Sequence, residues 1–175
     1  MAGGAEAAEK TTSLEGRLRL DRLRLEVTGD QALRYADDVS RYVDSSVYLR
    51  ILLGQPGAMT LDPRRETYTS AITRLEARRL LFRLHGKGKL NEDELSAHLT
   101  ALDEVLQSAT IVLCDQAILD RAGIPLAEPL GALDAIHLAC ALQAQEMSGA
   151  PLRLFTHSVE LAIAARAAGL LAVTA

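Results

Sequence analysis

Three acidic side chains stand where solubility alone does not call for a carboxylate. Asp44 closes the β-prone pair Tyr42-Val43 and precedes an apolar run over residues 47–53. Glu76 falls on the line Ile72, Glu76, Leu80, so it sits inside the apolar stripe of a helix. Asp134 lies in GALDAIHLAC (residues 131–140), with His137 one helical turn further on the same face. A carboxylate held on an apolar face costs free energy unless it is paired. Clustered carboxylates also repel one another, and a divalent cation relieves that repulsion. An all-oxygen donor set favours Mg²⁺ or Mn²⁺ over zinc. Such a site can activate water and stabilise charge during phosphoryl transfer.

Each acid also has a purely structural explanation. Asp44 and Asp134 suit the first turn of a helix, where the macrodipole favours negative charge. Glu76 fits a capping box with Thr73 if its helix starts late, or an ion pair with Arg79 or Arg83. His137 alone fits a hydrogen-bonded core histidine. What raises the chemical reading is that all three acids occupy helix starts or apolar helix faces in one strand–helix pattern.

That pattern runs through the chain from about residue 40. Residues 42–43, 68–70, 110–113, 152–156 and 171–174 read as short strands. Helices are expected over 47–53, 72–84, 91–106, 115–122, 133–147 and 159–168. His85-Gly86 should end the second, and Asn91 with Glu94 is a capping-box pair. Residues 133–147 are apolar on nearly every side, so that helix should be buried. The alternation implies an α/β fold, a central parallel sheet flanked by helices on both faces. In such folds ligands bind beyond the carboxyl ends of the strands, where Asp44 should lie.

Residues 1–38 read differently. The first sixteen or so, Ala/Gly-rich and acidic at the start, suit a disordered leader; Leu18, Leu20, Leu23, Leu25 and Val27 then alternate with polar residues. This leaves a leader over 1–38, disordered or an extension of unknown role, and one domain over 39–175. No secretory signal pattern and no apolar run near the roughly 18 residues of a membrane span is found, so a cytoplasmic protein is expected. Cys114 and Cys140 sit in apolar runs without zinc-type spacing and are expected as reduced core thiols.

The chain of 175 residues carries 19 basic and 23 acidic side chains, a net charge of −4 that excludes a positive field over the whole surface. Aromatics are 3% and Trp is absent, which argues against a base-stacking platform. Any nucleic-acid contact would then rest on local arginines, with Arg50, Arg74 and Arg78 the candidates.

Four blocks carry a family resemblance. RYVDSSVYLRILLG (41–54), TSAITRLEARR (69–79), ALDAIHLA (132–139) and LFTHSVELAIAARAAGL (154–170) resemble, in order and spacing, those of PIN-domain toxins of the VapC type. The third block is the most specific. The resemblance covers about residues 40–175 and implies a PIN-like fold and a Mg²⁺- or Mn²⁺-dependent endoribonuclease leaving 5′-phosphate and 3′-hydroxyl ends. It makes Asp44, Glu76 and Asp134 the catalytic and metal-binding acids, with Ser46 in support. It also implies a homodimer and a cognate VapB-type antitoxin. The family's usual last motif is Thr, any residue, Asp; here it reads Thr156-His157-Ser158, so Ser158 replaces the fourth acid. Weaker metal affinity is expected, and a PIN fold that binds RNA or a partner without cutting is the alternative. His157 is a further candidate, as a proton carrier. A phosphohydrolase or response-regulator-like domain is a third class, but no Lys follows Lys89 to serve the latter.

Overall fold

The computed structural model describes residues 39–125 and 129–174, so the expectations for the leader over 1–38 lie outside the described residues. Five strands alternate with six helices among them: β1 (Ser40–Val43), α1 (Ser45–Leu52), β2 (Thr67–Ser70), α2 (Ala71–Gly86), α3 (Glu92–Gln107), β3 (Thr110–Val112), α4 (Gln116–Ala122), α5 (Ala132–Ser148), β4 (Leu152–Thr156), α6 (Val159–Ala167) and β5 (Leu171–Thr174). All strand pairs are parallel, in the order β3-β2-β1-β4-β5.

The chain builds outward from β1 to β2 and β3, then returns to the other side for β4 and β5. The strand order therefore reverses between β1 and β4, where Tyr42 pairs with Leu154 and Val43 with Phe155. A cleft opens at such a reversal because the connections on its two sides diverge to opposite faces.

Strand alternation sends Tyr42, Tyr68, Leu152 and Leu154 to one face, where they pack with α4, α5 and α6 through Ile118, Leu138, Cys140 and Leu161. Val43 faces the other way, toward Val47, Tyr48, Ala77, Leu102 and Leu106 of α1, α2 and α3. Both faces are covered, as a parallel sheet requires. The helix α5 is buried along most of its length, from Ala135 to Ala144.

Helix starts follow from the sequence. Asp44, Ser70, Asn91, Asp115 and Ser158 each accept a backbone amide as an N-cap, and Asn91 with Glu94 forms the expected capping box. One expectation is corrected. Ser70, not Thr73, caps α2, so the helix starts early and Glu76 lies beyond its first turn instead of in a capping box. The helix ends at His85-Gly86, as expected, and the chain then turns at Gly88, whose φ of +66° is one that side chains with a Cβ rarely adopt. Cys114 and Cys140 are free thiols, as expected. Among the described residues no helix is long and apolar enough to cross a membrane.

Candidate active site

Asp44 follows β1 directly and is 3% exposed. Its amide donates to the Phe155 carbonyl at 3.0 Å, which continues the β1–β4 pairing by one residue to the end of the sheet. A carboxylate buried so deeply must be satisfied, and four hydrogen bonds converge on it. Oδ1 accepts from the Ser45 hydroxyl (3.1 Å) and the Ser46 amide (3.4 Å). Oδ2 accepts from the hydroxyls of Ser46 (2.7 Å) and Thr156 (2.6 Å). These hydroxyls are themselves oriented, since Ser46 Oγ accepts the His157 amide and Thr156 Oγ1 accepts the Ser158 amide. The turn after β4 is thereby tied to the turn after β1.

Glu76 comes from the second turn of α2 and keeps 19% of its side chain exposed. Its partner is not Arg79 or Arg83 but His137, whose Nε2 donates to Oε2 at 2.8 Å. The same nitrogen lies 3.4 Å from Asp44 Oδ1. On the other side of the ring, Nδ1 shares a 2.8 Å hydrogen bond with the Tyr42 hydroxyl. His137 is 1% exposed, so the core histidine of the simpler reading is also the link between two of the three acids.

Asp134 stands in the first turn of α5, one turn before His137. Its Oδ2 accepts the Ser158 hydroxyl at 2.7 Å. That hydroxyl also lies 3.4 Å from Oε2 of Glu160, an acid in the first turn of α6 that no sequence signal singles out.

The charges act on one another. Burial pushes the Asp44 carboxyl up, but His137 and the hydroxyls of Thr156, Ser46 and Ser45 outweigh it and hold it below the usual carboxylate range. Asp134 is raised, first by burial and then by the negative charges of Asp44 and Glu76, against the Ser158 hydrogen bond. Burial lowers His137, yet the Glu76 hydrogen bond and the three surrounding carboxylates leave it above its ordinary value.

The fold thus brings Asp44, Glu76, Asp134, Ser46 and Ser158 to one end of the sheet. The half-buried His157 enters through its backbone amide. The three arginines engage elsewhere: Arg50 donates to the Pro56 carbonyl, Arg74 pairs with Asp103 at 2.9 Å, and Arg78 lies over the Phe82 ring. Thr156, Tyr42 and His137 are the residues that sequence reading undervalued. The signals were the strand-end threonine, the residue two before the first acid on the same strand, and the turn spacing from Asp134.

The donor chemistry fits a hard divalent cation. Asp44 and Glu76 lie close enough to raise the Asp134 carboxyl, a repulsion that a dication relieves. Glu76 and Asp134 each have one oxygen taken, by His137 and Ser158, and a second oxygen without a hydrogen bond among the described residues. Among those residues no three acidic, His or Cys groups form a ready cage, so an ion would have to draw the carboxylates together.

Comparison with known proteins agrees with the architecture. No curated protein sequence matches the chain significantly. Among solved structures, FitAB bound to an IR36 DNA fragment superposes with a TM-score of 0.55 at 18% identity, covering 76% of this chain and 93% of that one. FitAcB from Neisseria gonorrhoeae superposes with a TM-score of 0.53 at 20% identity, covering 75% and 95%. At these identities the likeness is one of fold. The PIN domain family model matches residues 41–147, a span that contains most of β1 and the Asp44 that follows it, α2 with Glu76 and nearly all of α5 with Asp134. With the acids on those elements at the strand reversal, the chain belongs to the PIN domain family.

Proposed function

We propose that this chain is a Mg²⁺- or Mn²⁺-dependent endoribonuclease toxin of the VapC type, held in check by a cognate VapB-type antitoxin. The observation that carries the reading is the meeting of Asp44 and Glu76 at one imidazole nitrogen, 3.4 and 2.8 Å away, at the sheet end that Asp134 also faces. Asp44, Glu76 and Asp134 would hold the ion, which when bound would supply an activated water and neutralise the scissile phosphate. Ser46 and Thr156 keep Asp44 ionised and fixed. The nuclease domain spans 39–175, with residues 1–38 a leader. The active form is a cytoplasmic homodimer. The antitoxin offers a basic side chain, an Arg by preference, to the acids, because a guanidinium binds carboxylates bidentately. RNA is bound through phosphates and shape rather than by base stacking.

The second reading is a PIN domain that binds RNA or a partner without cutting. The Ser158–Asp134 hydrogen bond favours it, since a donor stands where the family's fourth acid would. Incubating total cellular RNA with the antitoxin-free chain and Mg²⁺ or Mn²⁺, beside EDTA and Asp44→Asn controls, separates the two. Metal-dependent cleavage lost in Asp44→Asn is expected. Intact RNA from a folded chain with either metal overturns the nuclease reading.

A further inference from the structure

A buried histidine has two ring nitrogens to satisfy, and most find them in backbone carbonyls or water. His137 finds neither. Its Nδ1 meets Tyr42 on β1, and its Nε2 meets Glu76 on α2 at 2.8 Å and Asp44 at 3.4 Å. Tyr42 is fully buried, and its ring stands edge-on to the imidazole, with centroids 6.0 Å apart and planes at 77°. The imidazole is therefore fixed from behind before it reaches the acids.

We propose that His137 is the positioning residue of the acidic site: through Nε2 it pins one oxygen of Glu76 beside Asp44 and presents the other oxygen to the ion. This rests on the metal-dependent reading above. Glu76 needs such a clamp more than its partners. Asp44 is held by four hydrogen bonds and Asp134 by the Ser158 hydroxyl, but Glu76 reaches in from α2 on a long side chain with more rotamer freedom to lose. A carboxylate already held in place loses less entropy when an ion arrives. The geometry also gives α5 a second task. It carries Asp134 directly, and one turn later it holds Glu76 through His137, whose Nε2 also lies 3.4 Å from Asp44. Residues that orient metal ligands in this way are worth roughly ten- to a hundredfold in affinity.

The test is Mn²⁺ titration calorimetry on the full chain and on His137→Leu, His137→Gln and Tyr42→Phe, with thermal melts to confirm folding. Gln places an amide donor near the Nε2 position, whereas Leu fills the space without one. His137→Leu should bind Mn²⁺ at least about tenfold more weakly, and His137→Gln should recover most of that loss. Tyr42→Phe, which frees the ring but keeps it, should fall between. If His137→Leu does not fold, Gln and Tyr42→Phe still decide the matter, because wild-type affinity in Tyr42→Phe with a full loss in Gln contradicts a Glu76 clamp made by an Nε2 donor on a ring fixed by Tyr42. Wild-type affinity in a folded His137→Leu overturns the positioning role alone. No Mn²⁺ binding by the unaltered chain overturns both this role and the nuclease reading.

Discussion

The Ser158 hydroxyl donates to Asp134 Oδ2 at 2.7 Å while accepting the Leu161 amide at 3.1 Å. One side chain starts α6 and engages the third acid of the site. The turn after β4 is thus locked both to Asp134 and, through the Ser158 amide and Thr156, to Asp44.

This double role separates two substitutions. Asp caps a helix about as well as Ser does, so Ser158→Asp keeps α6, but it exchanges a donor for a fourth negative charge beside Asp134. Cation affinity rises with the count of charged ligands. Ser158→Asp should therefore bind Mn²⁺ about tenfold more tightly and cut RNA faster. Ser158→Ala should lose about 1 kcal/mol of stability with its cap. Calorimetry with Mn²⁺ and denaturant melts give both quantities; equal affinities for the wild type and Ser158→Asp would sink the argument.

Thr156 offers a test of how the sheet holds the first acid. Its hydroxyl is fully buried and donates to Asp44 at 2.6 Å. Thr156→Val keeps the shape and removes the donor. A hydrogen bond to a charged group is worth about 1.5–3 kcal/mol, and the deletion leaves the Ser158 amide without its acceptor as well. Thr156→Val should be destabilised by about 2 kcal/mol at neutral pH, with Thr156→Ser recovering most of it. Urea unfolding of the three proteins checks this, and a Val variant as stable as wild type would contradict it.

The element order was legible because nearly every helix opens on a side-chain cap and every strand is short and β-prone. Asp44 and Asn91 could be placed from local chemistry alone. The partners of His137 could not. Tyr42 is 95 residues away in sequence and Glu76 is 61 away, so no local pattern distinguishes an imidazole that links two acids from one that only fills a core. His85 Nδ1 bonds the Leu90 carbonyl at 2.9 Å, which ties the last residues of α2 to the chain just beyond the helix end at Gly86. Glu76 is open to three readings from sequence: the Ser70 cap removes the capping box, and only the distant His137 removes the arginine ion pair.

The thiols should differ sharply in reactivity. Cys140 is buried, and its thiol is pushed up to about 12, chiefly by burial, with the Ser70 hydroxyl opposing. Its sulfur lies 3.9 Å from that of Cys114, which is only half-buried. Thiolate is the reacting form, so iodoacetamide at pH 8 should label Cys114 first and spare Cys140 until the chain unfolds. Peptide mass mapping after a short pulse reads the order, and equal labelling of the folded protein would refute it.

Asp134 predicts a conflict between stability and chemistry. Its carboxyl is raised in the folded chain, so the fold is favoured while it is protonated. That contribution is fully present below the unfolded value near 3.8 and is lost as pH rises through the folded value. At neutral pH without divalent cations, the ionised Asp134 is therefore a net cost to folding, driven by burial and by repulsion from Asp44 and Glu76. Asp134→Asn removes the charge while its amide oxygen can still accept the Ser158 hydroxyl. In EDTA at pH 7 the variant should melt higher than wild type, and the gap should narrow as pH falls toward 4. Saturating Mn²⁺ should reverse the order, because an ion that binds only the folded wild type stabilises it by mass action. Thermal melts across pH, with and without Mn²⁺, carry the test. An Asn variant that melts no higher than wild type in EDTA would mean that the Ser158 hydrogen bond already offsets the repulsion, and that Asp134 sits there without strain.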